Sequence, residues 1–187
     1  MDYIFGTLCI LKNKFWNLDL FKNTLRIKSK MSLYRKYKFF YSGSSQIINN
    51  LYLGSSFNAY SNSEISNNKI NVIINVTEEI DNYHKDNLSI VYYKFPIKDN
   101  GIEDISDILE QSYDIIDKHL SNGDRILVHC FMGASRSASV IIYYLMRKYN
   151  ISYNKSLQHV YNKREIVNLS QKFDTILNQT TFTHYNN

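Results

Sequence analysis

The sequence predicts an α/β fold: a mostly parallel central sheet of about five strands with helices on both faces, preceded by an N-terminal helical arm. Short β-branched apolar runs alternate with segments whose apolar residues recur every three or four positions, as expected where strands and helices alternate. One run, residues 69–76, is apolar almost throughout, which is typical of a strand buried on both faces. We therefore divide the 187 residues into a basic, amphipathic arm, 1–45, and a main domain, 46–187.

The arm carries the positive charge of the chain. Residues 1–40 hold nine Lys and Arg against two Asp, a balance of +7, so a net charge of +5 leaves the remainder at −2. Apolar side chains recur in the arm at steps of four and three, which predicts an amphipathic helix: Ile4, Leu8, Leu11, Phe15, Leu18 and Leu25. Such a stripe packs on the domain, on a second copy of the chain or on a membrane surface. We expect packing on protein and a homodimer formed through this stripe.

The other elements are predicted from local patterns, and most are bounded by turn or capping residues. A short helix is predicted for residues 32–41, with Met31 as an alternative start of the chain. The main domain is predicted to contain, in order, strands at 47–48 and 51–53 around the turn Asn49-Asn50, a polar helix and loop at 55–68, strands at 69–76 and 89–95, a helix at 102–120, a strand at 125–129, a buried helix at 138–149, and helices at 152–163 and 170–179.

The most informative segment is residues 126–137, Ile-Leu-Val-His-Cys-Phe-Met-Gly-Ala-Ser-Arg-Ser. It is typical of a buried strand, a tight loop and a helix that opens at Ser137. Backbone N–H groups of such a loop converge on one point, where the helix N-terminus adds partial positive charge. We expect a phosphate group to be bound there by the backbone of Phe131, Met132, Gly133, Ala134 and Ser135 and by the planar guanidinium of Arg136. Cys130, as a thiolate, would be the nucleophile.

Three further residues are candidates for supporting roles. His129 precedes the nucleophile and is expected to orient the cysteine backbone. Ser137 would donate a hydrogen bond to the cysteine sulfur, and it is at the same time a candidate for the helix N-cap. A leaving alkoxide or phenoxide needs a proton from a general acid on another loop, and Asp99, in the Lys98-Asp99-Asn100-Gly101 loop, is the candidate.

The pattern His129-Cys130-(five residues)-Arg136-Ser137 resembles the signature of cysteine-dependent protein tyrosine phosphatases, and residues 46–180 resemble the dual-specificity branch. Leu51-Tyr52-Leu53-Gly54 is similar to the opening strand of that branch, and Asp99 lies 31 residues before the cysteine, where the branch keeps its general acid. The resemblance implies hydrolysis of phosphotyrosine and phosphoserine/threonine in proteins through a phosphocysteine intermediate, with no metal and no cofactor. One departure is Leu169-Ser170, which replaces a Pro-Asn pair of the family and is expected to loosen the segment behind the loop.

Two alternative functions stay open at this point. One is a phosphatase for non-protein phosphates, such as a phosphoinositide or an RNA 5′ end, and the other is a weak, phosphate-binding pseudophosphatase. The uncharged loop and the mildly acidic main domain argue against the first and against nucleic acid as a partner, and the complete set of reacting residues argues against the second.

Composition bears on location and source. Cys9 and Cys130 provide no disulfide framework, and Cys130 must stay reduced, so we expect a cytoplasmic, reducing compartment (host cytoplasm or virion if the protein is viral) and no transmembrane segment. The bias toward Asn, Ile, Lys and Tyr is typical of an AT-rich genome, and a large DNA virus would fit. Poxvirus-type members of the branch pair two subunits through an N-terminal helix, which the arm resembles in kind.

Overall fold

A computed structural model describes residues 33–84, 86–100 and 102–182 of the chain. The chain divides into two units, Met1–Tyr37 and Lys38–Asn187, and the features discussed below belong to the second. The amphipathic helix and the dimer contacts predicted for residues 1–30 lie outside the described residues. The domain boundary predicted after residue 45 stays a prediction.

The described chain forms a five-stranded sheet in the order β1-β2-β5-β3-β4. All neighbours are parallel except β1 and β2, which pair antiparallel. The predicted α/β fold with a mostly parallel sheet is therefore confirmed. The elements are α1 Leu33–Tyr41, β1 Ser45–Ile48, β2 Leu51–Gly54, α2 Ser56–Tyr60, α3 Asn62–Asn67, β3 Val72–Asn75, β4 Val91–Lys94, α4 Ser106–Ser121, β5 Ile126–His129, α5 Arg136–Tyr149, α6 Tyr153–Lys163 and α7 Gln171–Gln179.

Apolar side chains cover both faces of the sheet. Successive residues of a strand point to opposite faces, so in β5 Ile126 and Val128 join one apolar cluster while Leu127 joins another. The larger cluster packs against residues of α4–α7, and the smaller one packs against Ala59 of α2 and Ile65 of α3. Helices therefore lie on both faces, and the central strands β2, β3 and β5 are fully buried, as predicted for residues 69–76.

Helix α4 begins later than predicted. The apolar spacing predicts a start at Ile102, but the helix begins at Ser106 and the Ile102 residue is 78% exposed. Side chains compete with the backbone for the first turn: Asn100 Oδ1 accepts from Ile102 N at 3.0 Å, and Asp104 Oδ1 accepts from Ser106 N at 2.9 Å. These local turns keep residues 98–100 and 102–105 outside the helix.

Other predicted elements are present with shifted bounds. The polar segment 55–68 forms two short helices capped by Ser55 and Ser61 rather than one helix and a loop. Strand β4 is shorter than predicted and forms a partly exposed edge of the sheet. Helices α6 and α7 begin just after the predicted first residues, Ser152 and Ser170, whose side chains cap them. Within residues 33–182, as far as these are described, no helix is long and apolar enough to cross a membrane.

Candidate active site

The candidate site lies where the central strand ends. Strand β5 runs between β2 and β3, both parallel to it, and ends at His129. A six-residue turn then leads into α5, so the loop lies beyond the carboxyl ends of three parallel strands, where α/β sheets bind ligands. Cys130, the first residue of this loop, is 2% exposed and is a free thiol. We call residues 130–135 the phosphate loop.

Hydrogen bonds from residues outside the phosphate loop orient its backbone. Five consecutive carbonyl groups accept hydrogen bonds from residues around the loop: Phe131 O from Ser56 N (3.1 Å), Met132 O from Arg164 Nη2 (3.1 Å), Gly133 O from Arg164 Nε (2.9 Å), Ala134 O from Asn168 N (2.9 Å) and Ser135 O from Ser139 N (2.8 Å). In a trans peptide the carbonyl of one residue and the N–H of the next point in opposite directions. The N–H groups of residues 132–136 therefore point into the loop, as an anion would require.

Close backbone packing holds the loop in this shape. Gly133 adopts φ +71°, and a Cβ atom on it would lie 2.5 Å from the carbonyl oxygen of Gly54. A side chain at residue 133 would thus be strained by its own dihedral angle and would collide with the end of β2. Glycine at residue 133 therefore lets the phosphate loop sit directly on the neighbouring strand.

Arg164 fixes the back of the loop. Its side chain is fully buried, its Nε and Nη2 donate to two successive loop carbonyls, and its Nη1 has no hydrogen-bond partner among the described residues. Burial lowers the pKa of the Arg164 guanidinium to about 10, although the charges of Cys130 and Glu64 act in the opposite direction. The guanidinium therefore remains a cation at neutral pH, close to Cys130.

The last turn of α1 packs against the same side of the loop. Phe39 O lies 3.5 Å from Arg164 Nη2, and Phe40 O accepts from Ser55 Oγ at 2.8 Å. The rings of Phe40 and Phe131 are 5.5 Å apart. Carbonyl groups at a helix C-terminus carry partial negative charge, so they stabilise the buried arginine.

The cysteine sulfur accepts two hydrogen bonds. Gly133 N and Ser137 Oγ each lie 3.2 Å from Cys130 Sγ. Helix α5 begins at Arg136, with Ser135 as its N-cap residue, so the interpretation of Ser137 as the helix cap is wrong. The helix thus begins one residue earlier than the sequence predicts. Ser137 therefore lies within its first turn, and its hydroxyl faces the cysteine sulfur.

His129 is buried and neutral. Its Nδ1 lies 3.4 Å from the carbonyl oxygen of Cys130, which can only accept, so the proton is on Nδ1. Burial lowers the pKa of His129 to about 4, against the effect of that hydrogen bond and with help from the charges of Arg136 and Lys94. The ring contacts the cysteine backbone, in agreement with an orienting role rather than proton transfer.

Arg136 lies at the junction of three segments. Its Nη1 and Nη2 pair with the two carboxylate oxygens of Glu79, each at 2.8 Å, and Nη1 also donates to Ile97 O at 3.0 Å. Its Nε lies 3.7 Å from Asp99 Oδ2. Burial alone would lower the pKa of Arg136, but the negative charges of Cys130, Glu79 and Asp99 outweigh it and raise the pKa. Arg136 is therefore permanently charged.

Asp99 reaches the phosphate loop from the β4–α4 loop. A third of its side chain is exposed, and its carboxyl group is hydrogen-bonded to Ser135 of the loop. Burial raises the pKa of Asp99 above its ordinary value, and Glu79 raises it further, whereas Arg136 and the bond to Ser135 lower it. A carboxyl group whose pKa is raised holds its proton to higher pH, which a general acid requires.

The structure thus brings together every residue predicted for the site and adds two that the sequence reasoning missed. These two are Arg164 and Glu79, to which no sequence pattern points because their partners in the site lie 31 and 57 residues away along the chain. The Leu169-Ser170 departure does not loosen the segment, since Ser170 caps α7 and its N–H donates to Ser135 Oγ at 3.1 Å. Within the described part of the chain, no group of three or more His, Cys, Asp or Glu side chains could hold a metal ion.

Fold and site together define an α/β protein with a buried cysteine at the carboxyl end of its central strand, in a loop whose Gly133 N–H donates to the sulfur. The family described as "Dual specificity phosphatase, catalytic domain" matches residues 51–181, and the chain belongs to this family. Among curated proteins, the chain is similar to the Protein phosphatase Slingshot homolog of Xenopus laevis (37% identity over 123 residues, 66% of this chain and 18% of that protein). It is also similar to the human Dual specificity protein phosphatase 9 (35% over 129 residues, 69% of this chain and 33% of that protein).

Solved structures give the same result. The crystal structure of DUSP15 superposes with a TM-score of 0.69 at 26% identity, covering 73% of this chain and 86% of that one. The human tyrosine phosphatase-like serine/threonine/tyrosine-interacting protein superposes with a TM-score of 0.67 at 26% identity, covering 72% and 93%. The chain spans only a fifth to a third of the length of the curated relatives named above.

Proposed function

We propose that the protein hydrolyses phosphotyrosine and phosphoserine/threonine monoesters of proteins through a phosphocysteine intermediate, without a metal or other cofactor. The observation that carries the proposal is the position of Cys130 Sγ, which accepts a hydrogen bond from a loop N–H and interacts electrostatically with Arg136, whose Nε lies 3.7 Å from Asp99 Oδ2. Membership of the dual specificity phosphatase family supports the substrate class. The uncharged side chains of the loop support a protein substrate over an inositol lipid or RNA.

The proposed reaction has two steps. The Cys130 thiolate attacks phosphorus, the ester P–O bond breaks, and the leaving oxygen takes a proton from Asp99. Loop N–H groups and Arg136 stabilise the charge on the non-bridging oxygens in the transition state. Water then attacks the phosphocysteine, Asp99 accepts its proton, and inorganic phosphate leaves. Ser137 donates to the departing sulfur, at the distance of 3.2 Å seen here.

The test compares two variants on aryl phosphates of different leaving-group quality. Cys130→Ser should abolish hydrolysis of p-nitrophenyl phosphate and keep the circular dichroism spectrum. Asp99→Asn should lower kcat by about 10²-fold for a poor leaving group and far less for a good one, since only the poor one needs protonation. Undiminished turnover by Cys130→Ser would overturn the proposal. Parallel rates on a phosphopeptide, an inositol lipid and RNA test the substrate class, and a lack of turnover by wild type would favour a pseudophosphatase.

Location and assembly belong to the same proposal. Catalysis by a thiolate requires a reduced Cys130, so we propose a reducing, cytoplasmic setting. Phosphorylated proteins would be its partners.

The proposed homodimer through the arm is tested by light scattering of the full chain against a chain that begins at Met31, and equal monomer masses would contradict it.

A further inference from the structure

We propose that Glu79 is a positioning residue for catalysis: its carboxylate holds the Arg136 guanidinium end-on and so presents the Nε edge to the substrate phosphate. The inference rests on the function proposed above, because it assigns Arg136 to the phosphate group. Nothing in the sequence pattern around Cys130 points to Glu79, which lies in the loop after β3.

Three of the five N–H donors of Arg136 are already in use. A guanidinium has five N–H groups. Two point to the carboxylate of Glu79 and one to Ile97 O, and together these use both N–H groups of Nη1 and one of Nη2. The N–H of Nε and the second N–H of Nη2 remain, and they lie on one edge as a two-pronged fork that matches a phosphate. Nε is buried without a hydrogen-bond partner among the described residues.

Glu79 is itself held in place. The buried Asn75 side chain donates to Ile80 O at 2.8 Å and accepts from Thr77 N at 3.1 Å, which fixes the turn that carries Glu79. Ile97 O accepts both from Glu78 N, at 3.3 Å, and from Arg136. The Glu79 turn and the Asp99 loop are thus joined at the guanidinium. A carboxylate on so constrained a turn can set the plane of a side chain that is only 3% exposed.

Glu79 also acts on Asp99 through charge. Its carboxylate raises the pKa of Asp99, in the same direction as burial. An uncharged residue at position 79 would remove this effect. The positive charge of Arg136 would then act on Asp99 without being offset by the carboxylate of Glu79. Both changes lower the pKa of Asp99, so the alkaline limb of the activity profile should move to lower pH.

The competing possibility is that Glu79 only occupies Arg136 and repels an anion. The two possibilities predict opposite signs for anion affinity in Glu79→Gln, whose side chain keeps the shape but offers one acceptor oxygen. If Glu79 positions the fork, tungstate binding weakens by about tenfold, the value of a charged bidentate contact. If it only repels, tungstate binding tightens.

The experiment measures tungstate binding by calorimetry in a Cys130→Ser background, and kcat and KM against pH in the otherwise wild-type enzyme. Glu79→Gln is compared with Glu79→Asp, which should recover part of the loss, and with Glu78→Gln as the control. Glu78 carries the same charge one residue earlier, but it is half-exposed and pairs with Lys98 at 3.4 Å. The control should leave anion affinity and the alkaline limb where they are in the unchanged protein.

The outcomes separate this inference from the proposed function. Failure of the Cys130→Ser protein to bind tungstate at all would count against the phosphate site itself. Binding that is unchanged or tighter in Glu79→Gln, or an alkaline limb that moves equally in the Glu78→Gln control, would overturn the role of Glu79 alone.

Discussion

Arg136 and Arg164 are both buried beside the phosphate loop, yet they face different groups. Arg136 pairs with the carboxylate of Glu79 and keeps its Nε without a hydrogen bond, whereas Arg164 donates to backbone carbonyls of the loop. The surroundings move their pKa values in opposite directions, up for Arg136 and down to about 10 for Arg164. A buried arginine can therefore either bind the substrate or hold the backbone in place, and the groups around it determine which of the two it does.

The largest effect is expected from Arg136→Lys. A lysine keeps the charge but cannot offer two parallel N–H groups to a phosphate, so kcat/KM should fall by about 10³-fold. The free energy of unfolding should change little, because the ammonium can still pair with Glu79. Steady-state kinetics and urea unfolding measure the two quantities. A variant that loses stability in proportion to activity would make Arg136 a structural residue like Arg164.

Arg164→Met should lower activity less and stability more. Two loop carbonyls lose their donors, which should lower the free energy of unfolding by about 3 kcal/mol, and misdirected N–H groups should lower kcat/KM by about 10²-fold. Arg125→Met is the matched control. Arg125 donates to Asn68 O and Asn50 at the opposite end of β5, so its loss should reduce stability with little change in kcat. Equal losses of kcat/KM in Arg164→Met and Arg125→Met would contradict a specific effect of Arg164 on the phosphate loop.

The smallest effect concerns another buried basic side chain, His129. Its pKa is about 4 in the folded protein and 6.5 as the ordinary value, so the folded state binds fewer protons between these limits. Stability from this group is complete above about pH 6.5 and is lost as the pH falls toward 4, by about 2 kcal/mol between pH 7 and pH 5. Urea unfolding of wild type and His129→Gln at both pH values isolates this loss. Equal pH dependence in both proteins would contradict a neutral, buried imidazole.

A feature could be predicted from the sequence where one continuous segment contains all the residues that determine it. The strand, loop and helix around Cys130 could be predicted because the apolar run, the small residues and Arg136 are consecutive, and nearly continuous apolar runs identify β3 and β5 as strands buried on both faces. The start of α4 could not be predicted, because the side chains of Asn100 and Asp104 decide it through local turns that apolar spacing does not register.

The supporting residues were hidden for a different reason. Glu79 and Arg164 resemble surface charges in sequence, and most Glu and Arg residues are exposed. Only the folded chain brings the turn after β3 against α5, and the end of α6 against the phosphate loop. Ser137 shows the reverse case, because its sequence context fits both a cap and a sulfur contact, and the helix start at Arg136 decides between them.

The turn that ends α1 limits which segments of this chain could be replaced by segments of another protein. Phe39, Phe40 and Ser42 each provide a carbonyl oxygen to Arg164 or to the β2–α2 corner. A chimaera that took residues 38–45 from another protein would keep every residue of the phosphate loop, but it would have to supply these acceptors anew. Successful exchange points for grafting this catalytic unit onto other segments therefore lie ahead of Lys38, and the short stretch after it should evolve together with the loop rather than with whatever precedes it.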